Sequence, residues 1–233
     1  SGVWSAEGSP YIVEGRVYVP AGETLTITPG TEILFNSSAQ LVVDSAAVLK
    51  AVGTPDDTIY FRSASADARW NGIKFYKSSD ACTLSYVVVT GAGPYSSEDY
   101  LESGGGIYVV EASPKIFHSR ISGNSAGSFG GGITLVHSDA TISHCIIAEN
   151  EATVGGGGIS IHQMSNVTLS NNVFENNSVS GNGNGGAVAI YYSAVSITNN
   201  NFVSNVSTAG SGGAIFAAIS TCDIVENLSL IHI

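Results

Sequence analysis

Two glutamates and two histidines are the side chains whose spacing could support catalysis. Glu149 and Glu175 are 26 residues apart, and so are His118 and His144. If the chain repeats with that period, each pair lies on adjacent copies of one structural unit. Carboxylates about 5 to 9.5 Å apart can serve as the acid and base of a glycosidase, and a histidine close to Arg120 could act as a general base. The spacing therefore raises the hypothesis of a polysaccharide-cleaving site.

A structural role for the same positions is the alternative, and the neighbouring residues favour it. Asn150 and Asn177 lie beside the positions of the glutamates, while Asn171 and Asn199 follow the histidines at the equivalent point of later copies. Asparagine tolerates the left-handed backbone region, and amides stacked in register can hydrogen-bond one another. We therefore expect solvated glutamates beside an asparagine ladder, and histidines that belong to a polar column at a turn.

The elements that position these residues form a repeat. Glycine-rich turns precede five apolar strands, whose first core residues are 26, 26, 29 and 27 residues apart. These core residues are Ile107, Ile133, Ile159, Val188 and Ile215. Alternate residues of each strand are apolar, so one face is expected to point into a core. A second strand follows in each copy, centred on Ile116, Ile142, Leu169, Ile197 and Ile224. Repeats of this length predict stacked units with one continuous core, a β-solenoid.

An asparagine recurs three residues after the last apolar position of the first four copies. The four residues are Asn124, Asn150, Asn177 and Asn205. Their constant spacing predicts a ladder of stacked amides that satisfies the polar groups of a turn on every coil.

The sequence predicts one domain over residues 1–233, because a solenoid grows along one axis without the size limit of a globular core. Residues 1–92 carry the strand pattern with an irregular period, and residues 104–227 carry the regular coils. Residues 93–103 are predicted to form a loop insertion that projects from one coil. The tail 228–233 departs from the repeat, which predicts either a longer native chain or copies that meet end to end.

Composition narrows the choice of partners. The net charge of −11 and the pI of about 4.6 argue against nucleic acid or an anionic membrane surface as a partner. No apolar run reaches the roughly 20 residues of a membrane-spanning helix. Three cysteines, Cys82, Cys145 and Cys222, lack the spacing of a metal site, and Cys82 and Cys222 stand several coils apart, too far for a disulfide. We therefore predict no metal site, no cofactor and cysteines that are small buried or turn residues.

Outward-facing side chains of the first strand are the candidate binding residues. Tyr108 and Phe216 share one outward column, and His162 and Tyr191 stand on adjacent coils in the next. Exposed rings in such rows could stack on the faces of sugars. A further column at the end of this strand consists of Glu111, His137, Gln163 and Tyr192. Its varied polar groups could line a shallow groove, so a polysaccharide or cell-surface glycan is the partner that this side predicts.

The second strand carries an outward pattern of alternating hydroxyl residues. The pairs are Thr83 with Ser85, Thr141 with Ser143, Thr168 with Ser170, and Ser196 with Thr198. The pattern resembles the flat hydroxyl arrays of ice-binding β-solenoids. Lys115, Phe117, Asp223 and Val225 interrupt it, and serine and threonine are common on strand surfaces. Ice binding is therefore a minor alternative function.

The opening coils resemble those of a known group of proteins. Pro10–Val13, Leu25–Ile33 and Trp70–Ile73 are similar to characteristic coils of large secreted right-handed parallel β-helix proteins of the pectin-lyase-like superfamily. The resemblance implies an all-β fold, a right-handed parallel β-helix, in a single domain. It also implies an extracellular or bacterial cell-surface location.

The later coils resemble a second, related group. Gly-Gly-Ala turns before Val188 and Ile215, together with Phe174–Asn177 and Phe202–Asn205, are similar to the repeats of polymorphic outer membrane proteins. Those proteins are surface-exposed, adhesin-like autotransporters, so this resemblance implies an adhesin. The shared residues are core and turn residues, which specify the fold far more strongly than an activity.

Polysaccharide lyases and hydrolases share this fold, so catalysis is the main alternative. The hydrolase branch carries Asn-Thr-Asp, Gly-Asp-Asp, Gly-His-Gly and Arg-Ile-Lys signatures, and none occurs in this sequence. Calcium-dependent lyases need clustered acidic residues beside a basic residue, and the sequence shows no such cluster at equivalent coil positions. A shared fold alone does not license an activity. We therefore predict a noncatalytic adhesin or glycan-binding scaffold, with a polysaccharide lyase or glycoside hydrolase as the alternative.

Overall fold

The computed structural model describes residues 2–93 and 105–230, and in this part of the chain short β-strands alternate with turns. The strands pair in parallel, each with the equivalent strand of the next coil, which makes a parallel β-solenoid of about eight turns in a single domain. A short 3-10 helix, Ala6–Gly8, is the one helical segment within these residues.

Three long sheets and one short sheet run along the solenoid. Sheet A contains, in spatial order, β1 (Gly2–Trp4), β4 (Thr24–Ile27), β7 (Val48–Val52), β10 (Thr83–Ser85), β13 (Lys115–Phe117), β17 (Thr141–Ser143), β21 (Asn166–Ser170), β25 (Ala194–Thr198) and β29 (Thr221–Val225). Sheet B contains β2 (Tyr11–Val13), β5 (Glu32–Phe35), β8 (Ile59–Ser63), β11 (Val87–Thr90), β14 (Arg120–Ser122), β18 (Ile146–Ala148), β22 (Val173–Glu175), β26 (Asn201–Val203) and β30 (Leu228–Leu230).

The third long sheet and the short sheet complete each coil. Sheet C contains β3 (Arg16–Val19), β6 (Gln40–Val43), β9 (Ile73–Tyr76), β12 (Ile107–Val110), β16 (Ile133–Val136), β20 (Ile159–His162), β24 (Val188–Tyr191) and β28 (Ile215–Ala218). Sheet D contains β15 (Ser125–Ala126), β19 (Glu151–Ala152), β23 (Ser178–Val179) and β27 (Val206–Ser207). The chain passes from sheet C to A to B, and in the later coils through sheet D, before it returns to C.

Equivalent apolar residues lie directly over one another. Ile107 pairs with Ile133, and Ile133 with Ile159, and all three side chains are fully buried. They belong to one cluster of buried apolar residues that extends from Val13 to Phe202. Burial on the inner side of all three sheets explains why Ile, Val, Leu and Phe dominate the inward positions. The predicted solenoid with one continuous core is confirmed.

The predicted asparagine ladder lies in the turn after sheet B. Asn150 Oδ1 accepts hydrogen bonds from the backbone N–H and from the Nδ2 of Asn124, both at 3.1 Å. Asn150 Nδ2 donates to the carbonyl of Ile121 at 2.9 Å and to Asn177 Oδ1 at 3.0 Å. The pattern continues from Asn177 to Asn205. Because Asn124, Asn150 and Asn177 are at most 2% exposed, these bonds replace solvation that the buried turn lacks.

A second asparagine ladder occupies the corner between sheets A and B. Asn172 Nδ2 donates to Asn200 Oδ1 at 3.0 Å, and Asn200 Nδ2 donates to Asn227 Oδ1 at the same distance. Asn171 and Asn199 do continue the column of the histidines, as predicted, but both are exposed and the bonded amides lie one residue later. The hydrogen-bonded ladder therefore lies beside the predicted column, and the column residues Asn171 and Asn199 are not its members.

A column of serines holds the remaining corner, between sheets C and A. The backbone N–H groups of Ser138, Ser165 and Ser193 donate to the hydroxyls of Ser165, Ser193 and Ser220 on the following coils, at 2.9 to 3.3 Å. The repeat pattern alone does not indicate this column. Each of the three corners is thus held by side chains that bond the backbone of a neighbouring coil.

The remaining structural predictions have mixed outcomes. The cysteines are free thiols, and burial raises the pKa of Cys145 to about 12, so it stays protonated. The predicted loop insertion 93–103 lies outside the described residues except for Gly93. Leu228–Leu230 continue sheet B as β30, although the side-chain pattern placed them beyond the repeat. Backbone pairing does not require a core side chain, and Ser229 stands opposite Phe202.

Close stacking of the glycine turns predicts a local intolerance of side chains. A Cβ at Gly132 would lie 2.7 Å from the carbonyl oxygen of Gly158 and 3.1 Å from Asn150 Nδ2. We expect Gly132→Ala to lower the free energy of unfolding by about 2 kcal/mol, because neither neighbour is free to move away. Gly15→Ala is the control, since a Cβ there meets nothing within 4 Å. Equal urea midpoints for both variants would contradict the stacking.

The ladder predicts a large loss of stability when one amide is removed. Asn150→Ala removes the acceptor of two Asn124 donors and the side-chain donor to the carbonyl of Ile121, while Asn177 Oδ1 keeps the backbone N–H of residue 150. We therefore expect the free energy of unfolding to fall by about 3 kcal/mol. Asn201→Ala, at an exposed strand position, is the matched control and should change it by less than about 0.5 kcal/mol. A similar small change for both variants would show that the ladder contributes nothing.

Candidate functional site

A stack of three rings lies at the corner between sheets A and B. Tyr86, His118 and His144 occupy equivalent positions on successive coils, directly after β10, β13 and β17, and each has a left-handed backbone with φ of 49°, 49° and 55°. The ring centroids of Tyr86 and His118 are 4.9 Å apart with an interplanar angle of 9°, and those of His118 and His144 are 5.0 Å apart at 31°. The two histidines lie on adjacent coils, as predicted, and Tyr86 extends their column by one coil.

The preceding coil adds no ring to this stack, because its residue at the equivalent position is a glycine. Val52 pairs with Ser85, so Gly53 is the residue equivalent to Tyr86 on that coil. Around the stack the surface forms a depression, lined by Thr58, Tyr86, Val87, Val88, His118, Ser119, Arg120, His144 and Ile146. It offers an aromatic face together with hydroxyl, imidazole and guanidinium groups, which is the mixture that binds a sugar ring and its hydroxyls.

The two glutamates are adjacent, as predicted, but they do not form an enclosed acid–base pair. The backbone N–H of Glu149 donates to the carbonyl of Glu175 at 2.9 Å. Glu149 Oε1 lies 3.7 Å from Arg120 Nη2, and its side chain is 64% exposed. Arg120 Nε also donates to Ser122 Oγ at 3.2 Å. Glu149 is therefore held by a solvated ion pair, which contributes little stability and leaves the carboxylate surrounded by water.

The outward side chains of Tyr108 and His162 on sheet C are covered, so their predicted exposure is wrong. The two side chains are 3% and 5% exposed. The segment between β15 and β16 folds over this face: Thr134 Oγ1 donates to the carbonyl of Phe129 at 2.9 Å, and the Phe129 ring lies 4.6 Å from that of His162. Gly155 leaves room for this ring, because a Cβ there would lie 3.3 Å from Phe129 Cδ1. Neither predicted residue is open to a ligand on this side.

The other rings on this face are packed against one another. Tyr108 lies under the Nζ of Lys74, 4.9 Å from the ring centre, and meets Tyr76 edge-on at 5.9 Å. Tyr191 and Phe216 are half-buried, with ring centroids 5.7 Å apart. The register of the two predicted columns is confirmed, but only Tyr191 and Phe216 keep part of their surface accessible.

A serine–histidine pair is buried beneath this cover. Ser160 Oγ and His162 Nε2 are 2.7 Å apart, and the His162 ring stacks on Tyr191 at 5.0 Å. Burial lowers the pKa of His162 to about 4, so the ring is neutral at pH 7. A hydroxyl next to a neutral imidazole is the chemistry of a nucleophile and its base, but Ser160 is fully buried and no substrate can reach it. The pair is therefore structural.

The corner between sheets C and A carries the fourth predicted column. Glu111, His137, Gln163 and Tyr192 all have left-handed backbones and follow one another on successive coils. Glu111 forms an ion pair with Lys77 at 3.4 Å. At the other end Tyr192 is 57% exposed. It shares a depression with Met164, Ser165, Asn166, Ser193, Ala194, Ile219, Ser220 and Thr221. Tyr192 therefore borders a depression whose walls mix apolar side chains with hydroxyl and amide groups.

Two further properties concern only the described residues. No group of three or more His, Cys, Asp or Glu side chains is arranged to hold a metal ion in residues 2–93 and 105–230. The same part of the chain contains no helix with the length and apolar character needed to cross a membrane.

Comparison with known proteins agrees with the geometry. A family model described as a right handed beta helix region matches residues 56–229, which is well over half of the chain. No curated protein and no solved structure gives a significant match.

The buried imidazole predicts a specific dependence of stability on pH. The pKa of His162 falls from its ordinary value of 6.5 in an unfolded chain to about 4 in the folded protein, so only the unfolded state takes up a proton between these values. Stability contributed by the neutral ring is complete above pH 6.5 and is lost as the pH falls to 4, by roughly 3 kcal/mol.

The measurement compares the wild type with His162→Gln in urea at pH 7 and about pH 4.5. Effects of acid that do not involve His162 are common to both proteins, and the wild type should lose about 2 kcal/mol more. Glutamine keeps a polar partner for Ser160 but does not titrate. Parallel losses in the two proteins would show that His162 is not buried as described.

Proposed function

The chain belongs to the right-handed β-helix family, and from that premise we propose that it is a noncatalytic glycan-binding scaffold, secreted or displayed on a bacterial surface as an adhesin. The binding site of this proposal is the depression at the Tyr86–His118–His144 stack. The observation that carries it is the Tyr86 ring at the end of the ring column, which lines this depression, packs against His118 and has a glycine at the equivalent position of the preceding coil.

The ring stack supports sugar binding through preorganisation. Stacking on His118 fixes the plane of the Tyr86 ring, so a ligand that packs against this ring does not need to immobilise it. Two hydrogen-bonding groups, the hydroxyl of Thr58 and the guanidinium of Arg120, line the same depression. A sugar ring needs one apolar contact and several polar ones, and the corner supplies both from side chains that lie on rigid coils.

A polysaccharide-cleaving enzyme is the alternative, and the geometry gives it less support. Glu149 is paired with Arg120 in solvent, and the Ser160–His162 pair is sealed from substrate. Cleavage needs a protonated acid and a base fixed on either side of a bond, in a site from which bulk water is largely excluded. Binding without cleavage requires neither a fixed acid–base pair nor the exclusion of water from the corner between sheets A and B.

The proposal is tested by screening the protein on a glycan array and measuring the best ligand by calorimetry. Tyr86→Ala should weaken binding at least tenfold, because a ring–sugar contact contributes about 1.5 kcal/mol. Tyr18→Ala, which removes a 51% exposed tyrosine on sheet C, should leave the affinity unchanged. If Tyr192→Ala abolishes binding and Tyr86→Ala does not, the site is at the other corner and the assignment is wrong.

A lyase and hydrolase panel on the same glycans separates the two functions. The scaffold function predicts no release of unsaturated or reducing ends above the rate without protein. Turnover that Glu149→Gln, Glu175→Gln or His144→Ala abolishes would replace the scaffold with the enzyme.

A further inference from the structure

Basic side chains are distributed unevenly along this acidic chain. All eight Lys and Arg residues lie between Arg16 and Arg120, and residues 121–233 contain none. Three of the four arginines are on the side of sheet B. Arg62 lies on β8 and pairs with Thr90 on β11, whose residue Val88 pairs in turn with Arg120 on β14. The third, Arg69, lies in the turn after β8 and reaches the coils of β11 and β14.

Arg69 is fixed in place and keeps most of its donors. Its Nη1 donates to the carbonyl of Gly123 at 3.0 Å and to that of Ala92 at 3.4 Å, so the guanidinium spans two coils. Its Nε and Nη2 groups have no hydrogen-bond acceptor within residues 2–93 and 105–230. A guanidinium held by two carbonyls, with its remaining N–H groups directed elsewhere, is preorganised for an oxyanion.

Arg62 and Arg69 face one depression in the surface. Its polar lining consists of Arg62, Ser63, Ser65, Arg69, Thr90 and the backbone of Gly91. Ser63 Oγ is used, because it donates to the carbonyl of Gly91 at 2.8 Å. The hydroxyls of Ser65 and Thr90 have no hydrogen-bond partner in the part of the chain that the structure describes. Arg62 forms an ion pair with Glu32, and with its side chain 49% exposed it stays accessible to a ligand.

This depression and the ring-stack depression open at opposite ends of one strand. Val87, the first residue of β11, lines the ring-stack depression, and Thr90, the last, lines the arginine depression. A strand of this length places the two sites roughly 10 Å apart. A short oligosaccharide that stacks on Tyr86 can therefore cross sheet B and bring a substituent to Arg69.

We propose that the Arg62–Arg69 depression is an oxyanion subsite that binds a sulfate ester on the glycan held at the ring stack. A sulfate ester presents three acceptor oxygens in different directions. These oxygens can accept hydrogen bonds from the two guanidinium groups and from the hydroxyls of Ser65 and Thr90. A planar carboxylate uses fewer of these donors. The inference rests on the proposed glycan-binding function for its ligand, but its residues are different from those of the ring stack.

The overall charge makes the subsite testable. A net charge of −11 repels a sulfated polymer, so nonspecific attraction does not produce binding. The probes are a heparin-derived tetrasaccharide, the same tetrasaccharide after desulfation, and a hyaluronan tetrasaccharide that carries carboxylates alone. We expect the sulfated probe to bind at least tenfold more tightly than either of the others, by calorimetry at about 150 mM salt.

Variants of the two arginines test whether the preference for the sulfated probe arises in the Arg62–Arg69 depression. Arg69→Gln and Arg62→Gln should each reduce the affinity for the sulfated probe at least fivefold and leave the desulfated probe unaffected. Arg16→Gln, on sheet C, is the matched control and should change nothing. Since Arg69 also bonds two backbone carbonyls, thermal melts accompany each variant, and Arg62→Gln tests the subsite without removing those bonds.

Separate outcomes overturn the two proposals. Equal affinities for hyaluronan and the sulfated probe, or a sulfate preference that survives both arginine variants, would overturn the subsite while Tyr86-dependent binding of the desulfated probe still supports the scaffold. Binding of the sulfated probe that needs Arg62 and Arg69 but not Tyr86 would support the subsite and overturn the ring stack as the glycan site.

Discussion

The buried asparagine ladder fixes how each of the later coils sits on the next, and the rest of the structure depends on that register. Parallel strands with alternating apolar residues could slip by two residues and still bury the same face. The ladder removes this freedom, because Asn150 Oδ1 meets both donors of Asn124 only when the coils are in register. A slip would leave several buried polar groups unpaired on each coil of the ladder, at about 1–3 kcal/mol each. Apolar burial drives the stacking, and the amides select one arrangement of it.

Fixed register turns each position of the repeat into a column of side chains along the axis. Columns that face the core or a ladder are restricted in residue type, whereas the left-handed corner positions constrain mainly the backbone. The corner between sheets A and B accordingly changes from Tyr86 to His118 and His144, then to Asn171 and Asn199, with no change in φ beyond a few degrees. Side chains of different chemistry can therefore occupy the corners without disturbing the core. The ring-stack depression and the arginine depression both border such turns.

The sequence predicts the periodic part of this structure and misses what is not periodic. The inward columns and the first ladder follow from residues that recur at one spacing, such as Ile107 with Ile133 and Asn124 with Asn150. The spacing does not reveal Tyr86 as the head of the ring stack, because 32 residues separate it from His118. The burial of His162 cannot be predicted from its own strand, because the ring that covers it, Phe129, belongs to a turn of the preceding coil and reaches it across Gly155.

Site-resolved hydrogen exchange of the backbone amides tests the central claim most directly. The N–H groups of Asn124, Asn150 and Asn177 donate to side-chain oxygens of the next coil rather than to backbone carbonyls. If the ladder fixes the register, these three turn amides will exchange as slowly as the strand amides of Ile133 and Ile159. Exchange as fast as in exposed turns would mean that the amide bonds are absent and that apolar packing alone holds the coils in place.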